Sequence, residues 1–488
     1  MSATILLRLL LVPCLLITGA PSLPGQDPGG REGDERAVSS PAEDGESPGD
    51  AEVGSDDPPP RPRRGRRRRP EPPAATPTPP PPEEESSSEE EEDWLAVIGG
   101  TIHTVSGGVV ERGTILVRNG RIHEVGVELP VPSGARRLDV EGHHVYPGLV
   151  AGNSVRVVGG EFDTDPYSFT MLLALAGGVT TARSGGNISK LTYGTLDGLE
   201  VGSSPFVTLN YSTGDPAGRR KLREAFERIR EFRRESARHA EAKEEDPKLP
   251  DLDRKWIKGL YATAEQLMDG KRVGYARVRE LAEIRAICGL AEKYGFDLVL
   301  DGAEEGWIEP GVIARAGARV IVTPRARRDR DDRRLAPNGS SIQNAAILHR
   351  HGVRFAIFPV GSLFAPGGGV SLSGLAGRDL LHLAMEAAFA VRGGLSDEEA
   401  IRAITLGAAE LLRIDERVGS IEVGKDADLV ITDGPLLHYL SLPQYTIVNG
   451  RVAYDQDEAG VLDHVRRDGR PEPEVIREPW PRRLGDPF

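Results

Sequence analysis

The sequence predicts an α/β protein: a (β/α)8 barrel joined to a small β-sandwich composed of N- and C-terminal segments. Period-two strands with Asn-Gly turns stand near both ends of the foldable stretch, and between them apolar strand-like runs alternate with helical ones. The intervening length, about 270 residues from Tyr146 to Leu412, suits a closed barrel better than an open sheet.

Residues 1–20 stand apart from this. A mostly apolar run from Ile5 to Ile17, interrupted by Arg8, ends in Thr18-Gly19-Ala20, the pattern of a secretory signal too short to span a bilayer. The expected destination is periplasmic or extracellular. Cys14 lies inside this signal behind Pro13, where a lipoprotein signal requires a small residue, so no lipid anchor is expected. The other cysteine, Cys288, is then alone, and export brings no disulfide framework.

Residues 21–93 are Pro, Gly, Ser and charge, with too little apolar surface to offset chain entropy, and are expected to be a disordered linker. Within them Arg61, Arg63, Arg64 and Arg66 to Arg69 face an acidic run, Glu83 to Glu85 and Glu89 to Asp93. Two readings follow: contact of the arginines with an anionic surface, or a solvated stalk whose opposite blocks attract.

Order is expected from Trp94. "WLAVIGGTIHTV", "GTILVRNGRIHEVG" and "RRLDVEGHHVYPG" alternate apolar and polar residues, with Asn119-Gly120 placed for a tight type I′ turn. "GSIEVGKDADLVITDG" and "YTIVNGRVAYD" repeat the style, with Asn449-Gly450 as the second turn. One β-sandwich from 94–146 plus 413–455 is the expectation.

Between these segments, 147–412 form the barrel. "GVTTAR", "FDLVLDG", "ARVIVTP" and "VRFAIFP" alternate with "RELAEIRAICGLAEKYG" and "SIQNAAILHRHG", as parallel strands with crossover helices do. An insertion at 217–245 is highly charged, yet Leu222, Phe226, Ile229 and Phe232 recur at helical spacing. They predict an amphipathic helix packed on the barrel rim or on a partner subunit. Residues 456–488 form a C-terminal tail. No later stretch reaches the roughly 18 consecutive apolar residues of a membrane helix, so no membrane insertion is expected after signal cleavage.

Pro147-Gly148-Leu149, Gly178-Val179-Thr180-Thr181-Ala182-Arg183, Ala403-Ile404-Thr405-Leu406, and Val418-Gly419-Ser420 running on to Gly424-Lys425-Asp426-Ala427-Asp428-Leu429-Val430 together resemble the amidohydrolase superfamily. The resemblance points to its imidazolonepropionase-like branch, whose members often carry a charged helical insertion. It implies hydrolysis of non-peptide carbon–nitrogen bonds in small molecules by one or two divalent metals at the barrel mouth. Such a metal makes hydroxide from bound water near neutral pH and polarises the carbonyl. It also implies His-x-His on strand 1, where residues two apart share a face, and an Asp on strand 8.

This sequence departs from that pattern. The two strand 1 histidines correspond to Asn153 and Val155, the Asp before them to Ala151, the strand 5 histidine falls near Tyr275, and the strand 8 Asp falls at Val360. No ionisable side chain occurs from Phe355 to Gly377, whatever register is chosen. The barrel histidines, His239, His349, His351 and His382, lie in helical stretches, and His103, His123, His143 and His144 lie in the N-terminal β-unit. No metal ligand set and no cofactor are therefore expected.

The polar groups left near strand ends are Asn153, Arg183, Lys190, Tyr275 and Asp301, with Glu304 and Glu305 just beyond. Acidic residues there, or Glu161, Asp163 and Asp165, could hold a hard cation or act as a base, or be ordinary solvated loop carboxylates. Arg183 and Lys190 make a metal-free mouth locally cationic, which suits an anionic ligand. Gly-x-Ser-x-Gly, Walker and paired-cysteine zinc motifs are absent from the sequence.

Two functions follow. The first is an exported amidohydrolase-family protein without the usual metal-dependent activity, its barrel serving as a binding or scaffold module for a small molecule. The alternative is a hydrolase of a small cyclic amide or amidine-like substrate using an atypical site, with a divalent metal such as zinc or with none. A homo-oligomer is compatible with either, and no nucleic-acid partner is expected.

Overall fold

The computed structural model describes residues 92–152, 154, 157–211, 214–358 and 380–461. The signal (1–20), nearly all of the linker (21–93) with its arginine cluster, most of the tail (456–488), and Asn153, Val155 and Val360 lie outside the described residues.

Along the chain come β1 (Trp94–His103), β2 (Val109–Arg118), β3 (Arg121–Val127), β4 (Arg136–Asp139), β5 (His144–Pro147) and β6 (Leu149–Ala151), then α1 (Phe169–Ala176). Next are β7 (Val179–Ser184), β8 (Asn187–Lys190), β9 (Glu200–Ser203), β10 (Phe206–Thr208), α2 (Pro216–Glu245) and α3 (Leu260–Met268). Strands and helices then alternate through β11 (Val273–Val278), α4 (Leu281–Tyr294), β12 (Leu298–Gly302), α5 (Pro310–Arg315), β13 (Arg319–Val322), α6 (Asn344–Arg350) and β14 (Phe355–Ile357). The last stretch holds α7 (Leu383–Arg392), α8 (Asp397–Ala403), α9 (Leu406–Leu412), β15 (Leu429–Thr432), β16 (Pro443–Val448), β17 (Arg451–Asp455) and α10 (Gln456–Ala459).

Strands from both ends of the chain form one sheet, in the order β17-β16-β15-β5-β1-β2-β3 with β4 on β1. The seam is antiparallel, Val430 opposite Tyr146 and Ile431 opposite Val145. One face buries Leu95, Val97, Ile115, Val117, Val145, Leu429, Ile431 and Ile447 together, the inward half of the period-two pattern. Both Asn-Gly turns are as expected: Asn119 and Gly120 have φ of 51° and 77°, Asn449 and Gly450 of 50° and 72°. A type I′ turn requires positive φ at both central residues, which Asn and Gly tolerate.

The alternating region builds a parallel five-stranded sheet, β10-β11-β12-β13-β14, and a four-stranded sheet, β6-β7-β8-β9, in which β7, β8 and β9 run antiparallel. Successive side chains part company by face. Leu298, Leu300, Val320, Val322 and Ile357 pack in the cluster shared with the helices, while Val150, Phe206, Val273, Val299, Ile321, Ala356 and Phe358 meet in a second cluster between strands. Where β6 and β14 have no strand pairing, the Val150 N–H donates to the Ile404 carbonyl at 2.9 Å.

The insertion is a helix, α2, running from Pro216 to Glu245. Asp215 caps it by accepting from Gly218 N, and proline fills the first turn. Its apolar face turns inward onto its own chain: Leu222, Phe226 and Ile229 are buried in the core cluster, and Phe226 stacks on Tyr294 and Phe296 with ring centroids 5.0 Å away in each case.

Candidate functional site

Three of the residues singled out from the sequence converge on β7, β11 and β12, Arg183 and Asp301 near the C-terminal ends of their strands and Tyr275 in the middle of β11. Arg183 donates from Nε to the Gly152 carbonyl at 2.8 Å and from Nη1 to the Gly185 carbonyl at 3.1 Å. Its guanidinium lies over the rings of Phe206 and Tyr275, 5.1 and 5.7 Å from their centroids, and burial lowers its pKa from the ordinary value. The Tyr275 hydroxyl donates to Asp301 Oδ2, and Arg277 Nε donates to the same oxygen at 3.1 Å. Burial first, and then the Asp301 carboxylate, raise the Tyr275 pKa well above the usual phenol. Tyr275 therefore stays a proton donor, and Asp301 is tied into a pair of charge-assisted contacts.

Sequence reasoning missed three residues of this set. Arg277 shares a strand face with Tyr275, two positions on, and sits opposite Asp301 in the ladder. Phe206 stacks on Tyr275 at 5.3 Å. Phe358 lies against the end of β6 so closely that a Cβ at Gly152 would fall 1.3 Å from its Cζ. The same-face spacing could have flagged Arg277, whereas an aromatic in an apolar run such as "FAIFP" reads as plain core.

Lys190 does not join them. After the Gly185-Gly186 turn the chain runs back antiparallel along β7, so Lys190 pairs with Thr181 and not with the strand end where Arg183 stands. Its ammonium is fully buried, 2.8 Å from Asp426 Oδ2, 3.0 Å from Asp428 Oδ1, and donating to Asn449 Oδ1 at 2.6 Å. Arg417 adds a second cation on Asp426, at 2.7 Å. Burial alone would push the Asp426 carboxyl up, but Lys190 and Arg417 outweigh it and hold the group below its usual range. The Gly424 to Asp428 segment is thus the acidic half of a buried ion network.

The acidic trio after β12 separates as well. Glu305 is buried and accepts from Leu281 N, Gly339 N and Arg328 Nη1 at 2.8 to 2.9 Å, which braces loops. Glu304 faces Arg279 at 3.5 Å; its Oε2 is buried with no hydrogen-bond partner among the described residues, and burial raises its pKa. Glu161 and Asp163 sit on an exposed 3-10 turn, and Asp165 accepts from Tyr167 N. His239 bonds the Pro250 carbonyl, His351 bonds the Ile347 carbonyl, His349 lies 3.6 Å from Glu399, and His382 precedes α7. Asn153 lies outside the described residues.

Among the described residues, which exclude Asn153, Val155 and Val360, the divalent metal implied by the family finds no matching donor set. Among the described residues no three His, Cys, Asp or Glu side chains converge to hold an ion. The Asp301 carboxylate is engaged by a phenol and a guanidinium, and the Arg183 side chain that feels its charge is a cation.

Comparison with known proteins adds the lineage. The Amidohydrolase family model matches residues 282–463. An imidazolonepropionase of Picrophilus torridus is 44% identical over 62 residues, 12% of this chain and 16% of that protein. An imidazolonepropionase of Klebsiella pneumoniae is 35% identical over 99 residues, 20% of this chain and 24% of that protein, so each match spans less than a quarter of the relative. The crystal structure of an amidohydrolase from Thermotoga maritima MSB8 superposes with a TM-score of 0.56 at 20% identity, covering 74% of this chain and all of that one, which establishes the fold. The C-terminal part of the chain, residues 282–463, thus matches the amidohydrolase family, with partial likeness to imidazolonepropionases, on a fold shared with a solved amidohydrolase.

Proposed function

We propose that this chain is an exported amidohydrolase-family protein without the metal-dependent hydrolase activity of its relatives, whose strand-end mouth binds a small anionic molecule. The observation that carries the reading is the self-paired character of the mouth: Arg183 over Phe206 and Tyr275, and Asp301 between Tyr275 and Arg277. A guanidinium stacked on aromatic rings beside an exposed second guanidinium recognises a carboxylate or other anion, and offers a divalent metal nothing. Export is supported by the leader-like residues 1–20, and contact with an anionic surface by the arginines of the linker.

The two smaller sheets are read as parts of one (β/α)8 barrel. Support comes from the apolar cluster that draws a side chain from each of β6 and β10 to β13, and from Phe358 against Gly152 at the open seam. The sheet built from both chain ends is correspondingly read as the composite sandwich, 94–146 plus 413–455.

One observation favours a second reading, hydrolysis without metal. Glu304, half-buried just beyond the strand end, offers an oxygen without a hydrogen-bond partner among the described residues and a pKa raised by burial, the direction in which catalytic carboxyls are tuned. A screen of amides, lactams and imidazolones, with added zinc and without, separates the two. The binding reading expects no turnover above buffer; turnover abolished by Glu304→Gln or Asp301→Asn would replace it with the second.

A further inference from the structure

The opposite ends of the parallel strands carry a second cationic feature. A cleft of about 250 Å³ is lined by Arg319, Arg354 and Arg402 with His349, Glu399 and Glu410. Arg319 opens β13 and Arg354 immediately precedes β14; these strands are paired parallel neighbours, and Val320 N donates to the Arg354 carbonyl at 3.0 Å. The two arginines are therefore brought side by side at the N-terminal strand ends, away from the Arg183 set at the C-terminal ends.

The lining does not balance its own charge. Arg402 is spent on Glu410, with contacts of 2.6 and 3.4 Å, and Glu399 has His349 at 3.6 Å. Arg319 reaches the Glu410 carbonyl at 3.3 Å, but its carboxylate, Asp297, is 3.8 Å away and is held at 2.6 Å by Arg413. Among the described residues the Arg354 side chain has no hydrogen bond and no ion pair. The three lining arginines outnumber the two lining glutamates by one positive charge. Burial, and next the charge of Arg354, depress the Arg319 pKa, so the pair pay for their proximity in this structure.

We propose that this cleft binds a compact dianion, a phosphate- or dicarboxylate-bearing small molecule, between Arg319 and Arg354. A dianion converts their repulsion into two charge-assisted contacts, and the planar guanidinium forks suit phosphate and carboxylate oxygens alike. The volume lies below the roughly 300–1,000 Å³ of sites for drug-sized ligands, which restricts the occupant to a small ion or metabolite.

The test is calorimetric titration of the full chain with inorganic phosphate and, separately, with malonate, against sodium chloride of matched ionic strength. One saturable site per chain is expected for at least one of the two, and the arm that saturates identifies the anion class. Arg354→Gln should weaken it at least about tenfold. The unfolding midpoint without anion should not fall, because Arg354 is exposed, has no partner among the described residues and is repelled by Arg319. No saturable binding of either anion overturns the proposal, as does binding that survives both Arg354→Gln and Arg319→Gln.

Discussion

The buried ammonium of Lys190 lies 3.0 Å from the Asp428 carboxylate, across 238 residues of chain. This contact fastens the β7–β8 hairpin to the Gly424 to Asp428 segment. Asp428 also accepts from Asn449 N at 2.9 Å, which brings in the second Asn-Gly turn. Removing the cation would leave two buried carboxylates facing each other. Lys190→Met is expected to cost about 3–5 kcal/mol in urea unfolding. In a cycle with Asp428→Asn the two losses should fall short of additive, by about 1–3 kcal/mol; strict additivity would mean the pair is not coupled.

The inward face of α2 is a core element of this chain. Phe226 is fully buried between Tyr294 and Phe296, so Phe226→Ala should destabilise by about 3–5 kcal/mol. Thermal unfolding checks it, and a loss below about 1 kcal/mol would show that the helix is only loosely attached.

Gly152 has no room for a side chain beneath Phe358. Gly152→Ala alone is expected to lower stability by about 1–3 kcal/mol through overpacking. The double variant Gly152→Ala with Phe358→Ala should be more stable than the sum of its parts, measured by denaturant midpoint. Purely additive losses would contradict direct contact at the β6 and β14 ends.

Acid should act through the histidine stack of the β-sheet. His103 Nε2 and His144 Nδ1 are 2.9 Å apart, and His103 lies flat on Tyr146 at 4.2 Å. Burial, then the neighbouring His144 ring, bring the His103 pKa from 6.5 down to about 4, with Glu111 opposing. The unfolded chain therefore binds more protons between these values, and stability that is complete above pH 6.5 is lost as the pH falls toward 4. The His103 ring resonance should titrate near pH 4, and His103→Gln should flatten the fall. A wild-type midpoint that stays level across this window would refute the assignment.

Much of the fold was legible in the sequence because local rules govern it. Asn119-Gly120 and Asn449-Gly450 could only be tight turns between alternating strands, and the Leu222, Phe226, Ile229 and Phe232 spacing could only be a helix. Convergence of Arg183, Tyr275 and Asp301 was legible too, since parallel strands present their ends on one side. Lys190 was misplaced because a two-glycine turn reverses the chain after β7, and nothing local announces carboxylate partners more than 230 residues away. The Phe358 contact escaped for a different reason: periodicity says which face a side chain takes, not how closely it meets the opposing backbone.

We propose that the strand ends of this amidohydrolase-type fold hold paired side chains in place of a catalytic ion. Elemental analysis of the full chain, expressed with zinc, manganese and iron available and then dialysed, tests it most directly. Well under one divalent ion per chain is expected; one tightly held ion per chain would contradict it.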